Sequence, residues 1–386
     1  MIIQPAKRLQ NTSEYYFSKK LKEVRSLIAS GKNILNLAIG SPDLSPSNDT
    51  IQALSKSASE PGNHGYQPYQ GLDSLRLSIS EYLQKTYNTA FDPSSEILPL
   101  MGSKEGITHI SLAFLDEKDL VLVPELGYPS YASVSKMLGA KVVYYPLDDH
   151  YYPDWDALKQ MDIDGAKIMW LNYPHMPSGA PANIEVFQNA VAFGLNHQVL
   201  ICHDNPYSLV LNENTLSIFQ FKDAKEVCLE LNSLSKSHNM AGWRVGWVSG
   251  AADYIRQVLT IKSNVDSGMF KGIQEAAIEA LKNDEHWHHE RNQIYAERKK
   301  IGLKIMERLN VEASQPQTGM FIWGKLPANV SGAYEASDHL LNHYHIFMAP
   351  GTIFGKRGEK FIRLSLCSHQ EILNEALNRL NDFSWK

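Results

Sequence analysis

The sequence of 386 residues has few cysteines and no long apolar run. Its three cysteines, Cys202, Cys228 and Cys367, are widely spaced and form no Cys-x-x-Cys pair. That spacing argues against a disulfide framework or a thiolate zinc site, and it favours a reducing compartment. The apolar runs are far shorter than the ~20 residues that cross a bilayer, and residues 1–8 contain no apolar segment typical of a secretion signal. We therefore expect a cytoplasmic protein without a membrane segment.

A surplus of positive charge is also missing. Lys and Arg number 37 against 42 Asp and Glu, which gives a formal net charge of −5. This balance argues against a nucleic-acid partner and against an anionic membrane surface. Hydrophobic residues make up 43% of the chain and charged residues 20%, as in ordinary globular proteins, and the length predicts two to three domains.

Short apolar runs alternate with helical patterns between about residues 98 and 250. This alternation predicts βαβ units, with a mostly parallel sheet covered by helices on both faces. After residue 267 the chain changes to long helical patterns and two strand-like segments, 319–326 and 361–366. We expect a large α/β domain over 45–270. Residues 1–44 and 271–386 are predicted to form a smaller α+β domain, in which the N-terminal segment packs on the C-terminal part.

The segment Ser233-Leu-Ser-Lys-Ser-His-Asn-Met-Ala-Gly-Trp-Arg244 carries the strongest chemical signal. Lys236 follows an apolar run within a turn rich in Ser and Gly, and a lysine placed in this way can form an imine with an aldehyde. The hydroxyls of Ser233 and Ser235, together with the guanidinium of Arg244, can hold a phosphate. Taken alone, the same pattern also describes a solvated lysine beside an ordinary loop.

Two other segments place polar residues after predicted strands. In His203-Asp-Asn-Pro-Tyr207, Asp204 lies where open α/β sheets bind ligands, although an Asp at this point is also a common helix N-cap. In Leu100-Met-Gly-Ser-Lys-Glu-Gly-Ile107, a strand leads into a helix. The backbone N–H groups at the start of a helix form an anion site.

These segments resemble the motifs of class I/II aminotransferases, which are fold-type I pyridoxal-phosphate enzymes, and they occur in the same order along almost the whole chain. The resemblance implies that Lys236 holds pyridoxal phosphate as an internal aldimine and later acts as general base. It implies that Asp204 pairs with the pyridine nitrogen and that Tyr207 donates to the phenolic oxygen. The implied phosphate neighbours are Gly102, Ser103, Lys104, Ser233, Ser235 and Arg244.

The resemblance extends to the substrate and to a second subunit. Tyr128 is expected to stack on the cofactor ring, and Tyr66 to reach the phosphate of a neighbouring subunit, which implies a homodimer with shared active sites. Arg363 is expected to grip the substrate α-carboxylate, and Gly40 to lie in a loop that closes over the substrate. The implied reaction moves an amino group from an L-amino acid to a 2-oxo acid by a ping-pong mechanism.

One position departs from the family pattern. In Asn172-Tyr-Pro-His-Met-Pro-Ser-Gly179, Met176 stands where the family has an Asn that donates to the phenolic oxygen and helps bind the substrate carboxylate. A thioether cannot donate a hydrogen bond. Either Tyr207 alone polarises the phenolic oxygen, or His175 or Asn172 replaces the missing donor, or the activity is weakened or altered.

Other interpretations of the sequence stay open. A pyridoxal-phosphate-dependent lyase similar to a carbon–sulfur β-lyase uses the same residues on the same fold, and a cofactor-binding protein of low activity is a further alternative. A cofactor-binding module of a DNA-binding regulator is disfavoured because the chain lacks a basic patch. In the group His286, His288 and His289, the i, i+3 pair His286 and His289 could share a helix face and bind a metal. No third ligand occurs at suitable spacing, so we expect a solvated helix face and no metal.

Overall fold

The computed structural model describes residues 3–9, 14, 16–313 and 316–385. The α-helices are α1 (Tyr16–Ala29), α2 (Asn48–Ser59), α3 (Asp73–Tyr87), α4 (Ser103–Phe114), α5 (Pro129–Met137), α6 (Trp155–Leu158), α7 (Ile184–His197), α8 (Ala224–Val227), α9 (Leu234–Ser237), α10 (Ala252–Val265), α11 (Lys271–Ala280), α12 (Glu285–Arg308), α13 (Ala333–His339) and α14 (Gln370–Arg379). The strands are β1 (Leu35–Asn36), β2 (Ile97–Leu100), β3 (Leu120–Pro124), β4 (Lys141–Tyr145), β5 (Ala166–Leu171), β6 (Leu200–Asp204), β7 (Cys228–Ser233), β8 (Gly246–Gly250), β9 (Glu312–Ala313), β10 (Phe321–Lys325), β11 (Ile346–Phe347), β12 (Ala349–Pro350) and β13 (Phe361–Ser365). Across these ranges, no helix combines the length and the apolar character needed to cross a membrane.

Seven strands form the central sheet, in the order β2-β8-β7-β6-β5-β3-β4. Strands β4, β3, β5, β6 and β7 run parallel, and β8 is antiparallel to both of its neighbours. Within β5, Met169 and Leu171 belong to one hydrophobic cluster, whereas Ile168 and Trp170 belong to another. Alternate residues of a strand point to opposite faces, so both faces of this sheet are covered. The predicted α/β class with a mostly parallel sheet is confirmed.

The carboxyl ends of all strands of this sheet except β8 meet at one edge. Asp204 is the last residue of β6, and α9 with Lys236 follows β7 directly. Strand β2 has the same direction as β7, because two antiparallel pairings separate them. Its carboxyl end therefore brings the start of α4 to the same edge, where ligands bind in open α/β sheets.

A smaller sheet, in the order β12-β13-β10-β9, is antiparallel and lies in the C-terminal part of the chain. Strand β1 pairs in parallel with β11, with Leu35 opposite Ile346, so the N-terminal segment joins the C-terminal part. Helix α11 packs instead against α2 and α3. Its residues Ala277 and Ala280 share a hydrophobic cluster with Leu75 of α3.

Candidate active site

A cavity of about 430 Å³ lies at the carboxyl edge of the central sheet. Most of the residues predicted from the sequence line it: Ser103, Lys104, Tyr128, Asp204, Tyr207, Ser233, Ser235, Lys236 and Arg244. A larger cleft of about 680 Å³ shares only Tyr128 with that set. Size alone therefore does not identify the site, whereas the chemistry of the lining residues does.

Lys236 lies in the short helix α9, immediately after the buried strand β7. Ser233 caps this helix, since its Oγ accepts a hydrogen bond from the backbone N–H of Ser235 at 3.1 Å. The Nζ atom of Lys236 donates to the carbonyl oxygen of Gly40 in the N-terminal loop. Burial lowers the pKa of Lys236, and the positive charge of Arg363 contributes to the lowering. A lowered pKa increases the fraction of neutral amine, which is the nucleophilic form.

Asp204 presents one occupied and one open carboxylate oxygen. The hydroxyl of Tyr131 donates to Oδ2 at 2.7 Å, whereas the buried Oδ1 has no hydrogen-bond partner among the described residues. Burial raises the pKa of Asp204 to about 6. A cationic N–H donor inside the cavity would satisfy Oδ1 and stabilise the carboxylate. The protonated pyridine nitrogen of pyridoxal phosphate is such a donor, so the cofactor fits this end of the cavity.

The start of α4, together with Arg244, forms a site for an anion such as phosphate, which we call the anion cradle. Gly102 is the N-cap residue with φ 85°, and a Cβ atom there would lie 2.0 Å from Nη2 of Arg244. A Cβ atom on Gly246 would lie 2.8 Å from the backbone nitrogen of Ser103. Glycine at 102 therefore lets the guanidinium approach the start of the helix, and glycine at 246 lets strand β8 lie against the helix backbone there. The N–H groups at the start of a helix attract phosphate.

Ser233 and Ser235, the two serines predicted to bind phosphate, already form hydrogen bonds within the protein. The hydroxyl of Ser233 donates to the carbonyl oxygen of Val245 at 3.2 Å while it caps α9. The Oγ atom of Ser235 lies 3.4 Å from Nη1 of Arg244, and the same Nη1 donates to the carbonyl oxygen of Ala241 at 3.0 Å. Ser235 and Arg244 therefore form one polar unit at the cavity wall.

Arg363 reaches the site from β13, in the smaller sheet. Its guanidinium stacks on the rings of Phe321 and Phe354, 3.8 and 4.5 Å from their centroids. Nη2 donates to the carbonyl oxygen of Ala38 at 2.9 Å, and Nη1 lies 3.2 Å from the Sδ atom of Met176. Met176 also lines the cavity. The thioether thus lies between the predicted carboxylate-binding arginine and the predicted cofactor site.

The two residues considered as replacements for the missing family Asn are engaged elsewhere. Asn172 donates to the carbonyl oxygen of Asp204 at 2.7 Å and accepts from the backbone N–H of Met176 at 2.9 Å. The ring nitrogens of His175 contact Ser178 Oγ at 2.6 Å and the Leu126 carbonyl at 3.0 Å. Tyr207 lines the cavity, and burial raises the pKa of its phenol, so the hydroxyl keeps its proton and is able to donate.

Other predicted residues lie outside the cavity wall. Tyr66 is 95% exposed and is not brought to the cavity of its own chain. Gly40 contributes its carbonyl oxygen to Lys236, and a Cβ atom at this position would lie 2.3 Å from Cζ of Phe321. The loop therefore needs glycine to lie this close to the aromatic ring.

The histidine group divides into exposed and packed members. His286 and His289 lie on the exposed face of α12, as predicted, where they contact Glu290 at 3.4 Å and Gln293 at 2.8 Å. His288, which lies between them in the sequence, is only partly exposed. Its ring packs on His238 with the centroids 4.9 Å apart, because the helix turns this position toward α9.

Two contacts near the site have no signal in the sequence. Tyr131 holds Asp204 from α5, across 73 residues of sequence. A buried charge cluster combines Glu105 and His109 of α4 with Asp266, whose carboxylate lies 3.0 Å from His109 Nε2. Lys262 donates to Asp266 and already provides a cation within this cluster.

Three features at the edge of the parallel sheet fit three chemical groups of one cofactor. The buried lysine suits an aldehyde, the aspartate with an open oxygen suits a pyridinium nitrogen, and the glycine-dependent anion cradle suits a phosphate. The protein is accordingly a fold-type I pyridoxal-phosphate-dependent enzyme.

Comparisons with known proteins narrow this class to a family. The sequence model of the family "aminotransferase class I and II" matches residues 32–380, and the chain belongs to this family. The LL-diaminopimelate aminotransferase of Dehalococcoides mccartyi is 37% identical over 382 residues, which is 98% of each chain. The enzyme of the same name from Moorella thermoacetica is 35% identical, also over 98% of each chain.

Solved structures agree with the family. The substrate-bound BacF structure from Bacillus subtilis has a TM-score of 0.94 at 31% identity and covers 100% of both chains. A single mutant of Thermus thermophilus aspartate aminotransferase shares the fold, with a TM-score of 0.91, 22% identity and coverage of 98% and 99%. The protein is a pyridoxal-phosphate-dependent aminotransferase, and the lyase and low-activity alternatives are not favoured.

Proposed function

We propose that this aminotransferase takes LL-diaminopimelate as amino donor and that Lys236, Asp204, Tyr207 and Arg363 carry out the reaction. Relatives with that donor in their name, which match 98% of the chain, support the choice of donor. The proposed roles of these residues rest mainly on one observation. The Oδ1 atom of Asp204 has no hydrogen-bond partner among the described residues, and it lies in the same cavity as Lys236 and Tyr207.

Pyridoxal phosphate, when bound, supplies an aldehyde for amine exchange and a ring that accepts electrons from the substrate Cα. Asp204 would accept the pyridine N–H on Oδ1, because Tyr131 holds Oδ2 and fixes the plane of the carboxylate. Tyr207 would donate to the phenolic oxygen, and Tyr128 would stack on the ring. The phosphate would lie against the residues of the cradle, which are Gly102, Ser103, Lys104, Ser233, Ser235 and Arg244.

Lys236 has two tasks in this proposal. It attaches the cofactor, and after the substrate amine has displaced it, Nζ takes the proton from the substrate Cα as a general base. Burial lowers the pKa of Lys236, so the released amine is neutral more readily than an exposed lysine. The cap at Ser233 fixes the start of α9, and it therefore fixes the position from which Nζ of Lys236 would reach the substrate Cα.

Arg363 binds the substrate α-carboxylate. A carboxylate placed beside Nη1 replaces a weak thioether contact with a charge-assisted hydrogen bond, and a planar guanidinium can form two of these in parallel. The rings of Phe321 and Phe354 hold the guanidinium in place. We propose that the enzyme tolerates Met176, with Tyr207 alone polarising the phenolic oxygen.

The functional unit is proposed to be a homodimer with shared active sites. Tyr66 and Tyr69 are both exposed on the loop between α2 and α3. Large aromatic side chains exposed together favour an interface. In such a dimer Tyr66 would reach the phosphate of the neighbouring subunit.

Two further proposals concern organisation and location. The separate sheets support a division into a large domain that starts near residue 45 and a small domain that includes residues 1–44. Because α11 packs on α2 and α3, we place the second boundary after α11 rather than at residue 270. The free, buried thiols of Cys202, Cys228 and Cys367 support a cytoplasmic location.

The donor is tested with the purified holoenzyme and a panel of 2-oxo acids. LL-diaminopimelate is compared with monocarboxylic amino acids of similar length, and the amino acid formed from each oxo acid is quantified. We expect the highest kcat/KM with LL-diaminopimelate. A tenfold preference for another donor would overturn the choice of donor but not the family.

A further inference from the structure

We propose that Arg291 of α12, which lies outside the cavity, is a positioning residue that holds the loops of Lys236 and Tyr207 at a fixed separation. The inference rests on the proposed roles of Lys236 and Tyr207. It adds a residue that touches neither cofactor nor substrate.

The guanidinium of Arg291 joins two loops that are distant in sequence. Nη1 donates to the carbonyl oxygen of Ser237, the residue after Lys236. Nη2 donates to the carbonyl oxygen of Leu209, two residues after Tyr207. Because the guanidinium is a planar fork with fixed donor spacing, it sets the distance between the two carbonyls, which a single ammonium cannot do.

Asn292, the next residue of α12, secures the Tyr207 side. Its Nδ2 atom donates to the same Leu209 carbonyl at 3.1 Å, and its Oδ1 atom accepts from the backbone N–H of Leu211 at 3.2 Å. Oδ1 also accepts from Nη2 of Arg291 at 3.1 Å. Consecutive residues of one helix therefore hold the turn that follows Tyr207 at two points.

The positive charge of Arg291 is buried, and its surroundings do not neutralise it. The side chain is 3% exposed, and no carboxylate of the described ranges forms an ion pair with it. Its other close contacts are the ring of Trp287, 5.6 Å away, and Nδ1 of His288 at 3.0 Å. Burial lowers the pKa of Arg291 to about 10. A buried cation without a counter-ion costs stability, so the geometry that it imposes on the two carbonyls explains its presence.

Helix α12 offers a matched control two turns further on. Arg298 is 2% exposed and binds both carboxylate oxygens of Asp43, at 2.6 and 2.8 Å, and the Leu366 carbonyl at 3.1 Å. Asp43 belongs to the N-terminal loop that contains Gly40. Arg298 therefore holds the proposed substrate loop, whereas Arg291 holds the two catalytic loops.

The test compares Arg291→Lys, Asn292→Ser and Arg298→Lys as holoenzymes. We measure kcat and KM for the amino donor, the melting temperature, and the pH midpoint of the visible absorption of the bound cofactor. Arg291→Lys is expected to lower kcat by about 10- to 100-fold, to leave KM within about twofold and to shift the midpoint. Asn292→Ser is expected to change kcat and the midpoint in the same directions but less. Arg298→Lys is expected to raise KM while kcat and the midpoint stay near those of the wild type.

A lower melting temperature with wild-type kcat and midpoint in Arg291→Lys would overturn the proposal, as would identical profiles for the two arginine variants. If Arg291→Lys does not fold, Asn292→Ser decides by the same criteria. A wild-type enzyme that accepts no donor would refute the proposed function, while the midpoint comparison would still decide the role of Arg291.

Discussion

Nη1 of Arg363 lies 3.2 Å from the Sδ atom of Met176. One terminal nitrogen of the arginine proposed to bind substrate therefore contacts a side chain that accepts hydrogen bonds weakly and donates none. The other terminal nitrogen is occupied by the Ala38 carbonyl. Met176 contacts the arginine, and in the proposed site it would also leave the phenolic oxygen of the cofactor without the donor that the family Asn provides.

The first prediction concerns this position. Met176→Asn introduces a donor near the phenolic oxygen, which stabilises its anionic form and weakens its hold on the imine proton. The pH midpoint of the visible absorption should therefore fall by about half to one unit, as expected for a hydrogen bond worth roughly 1 kcal/mol. A pH titration measures it. Met176→Leu adds no donor and should keep the wild-type midpoint, and equal midpoints for the Asn and Leu variants would refute the argument.

The second prediction concerns Asp204 in the cofactor-free protein. Its pKa is raised to about 6 by burial, against about 3.9 in an unfolded chain. The folded state therefore favours the protonated carboxyl, and this contribution to stability is lost as the pH rises from about 4 to about 6. Asp204→Asn has no such loss. The cofactor-free variant should therefore be more stable than the wild type above pH 6, by up to roughly 3 kcal/mol.

Urea unfolding of the cofactor-free proteins at pH 4.5, 6 and 8 measures this difference. We expect it to be smallest at the lowest pH, where the folded carboxyl is still protonated and the least of this contribution has been lost. A difference that does not vary with pH would contradict the assigned environment of Asp204.

The third prediction tests the anion cradle. In Gly102→Ala the new methyl group would displace the guanidinium of Arg244, and the residue would keep an unfavourable φ of 85°. Affinity for pyridoxal phosphate should fall by about tenfold or more, since a charge-assisted contact is lost. Affinity for pyridoxal, which lacks the phosphate, should change much less. Gly242→Ala is the control, because a Cβ atom there meets nothing within 4 Å. Equal losses for both ligands would contradict the cradle.

The fourth prediction concerns the shared site. If Tyr66 serves the neighbouring subunit, a hybrid of a Lys236→Ala chain and a Tyr66→Ala chain has one site with both changes and one with neither. Mixed refolding of two inactive variants should then restore up to about a quarter of wild-type activity in a two-fold symmetric dimer. No recovery, in mixtures shown to contain hybrids, would mean that each site is formed by one chain.

The sequence predicts which residues line the cavity where these residues belong to contiguous motifs. Lys236 and Asp204 each follow a recognisable buried strand, and parallel strands bring such positions to one edge. Contacts that join distant segments are not predictable in this way. Tyr131 reaches Asp204 because α5 packs against β3 and β4 of the same sheet, and Arg291 reaches two loops because α12 lies against both. Likewise, spacing along a helix does not reveal that His288 packs on His238.

The visible spectrum of the purified protein tests the central claim most directly. With pyridoxal phosphate, we expect an absorption band that is absent from Lys236→Ala. Addition of an amino donor without any oxo acid should convert this band to a near-ultraviolet one, because the amino group is transferred to the cofactor in the first half of the reaction. A wild-type protein that shows no band after incubation with pyridoxal phosphate, or a band that Lys236→Ala retains unchanged, would contradict the assignment of Lys236.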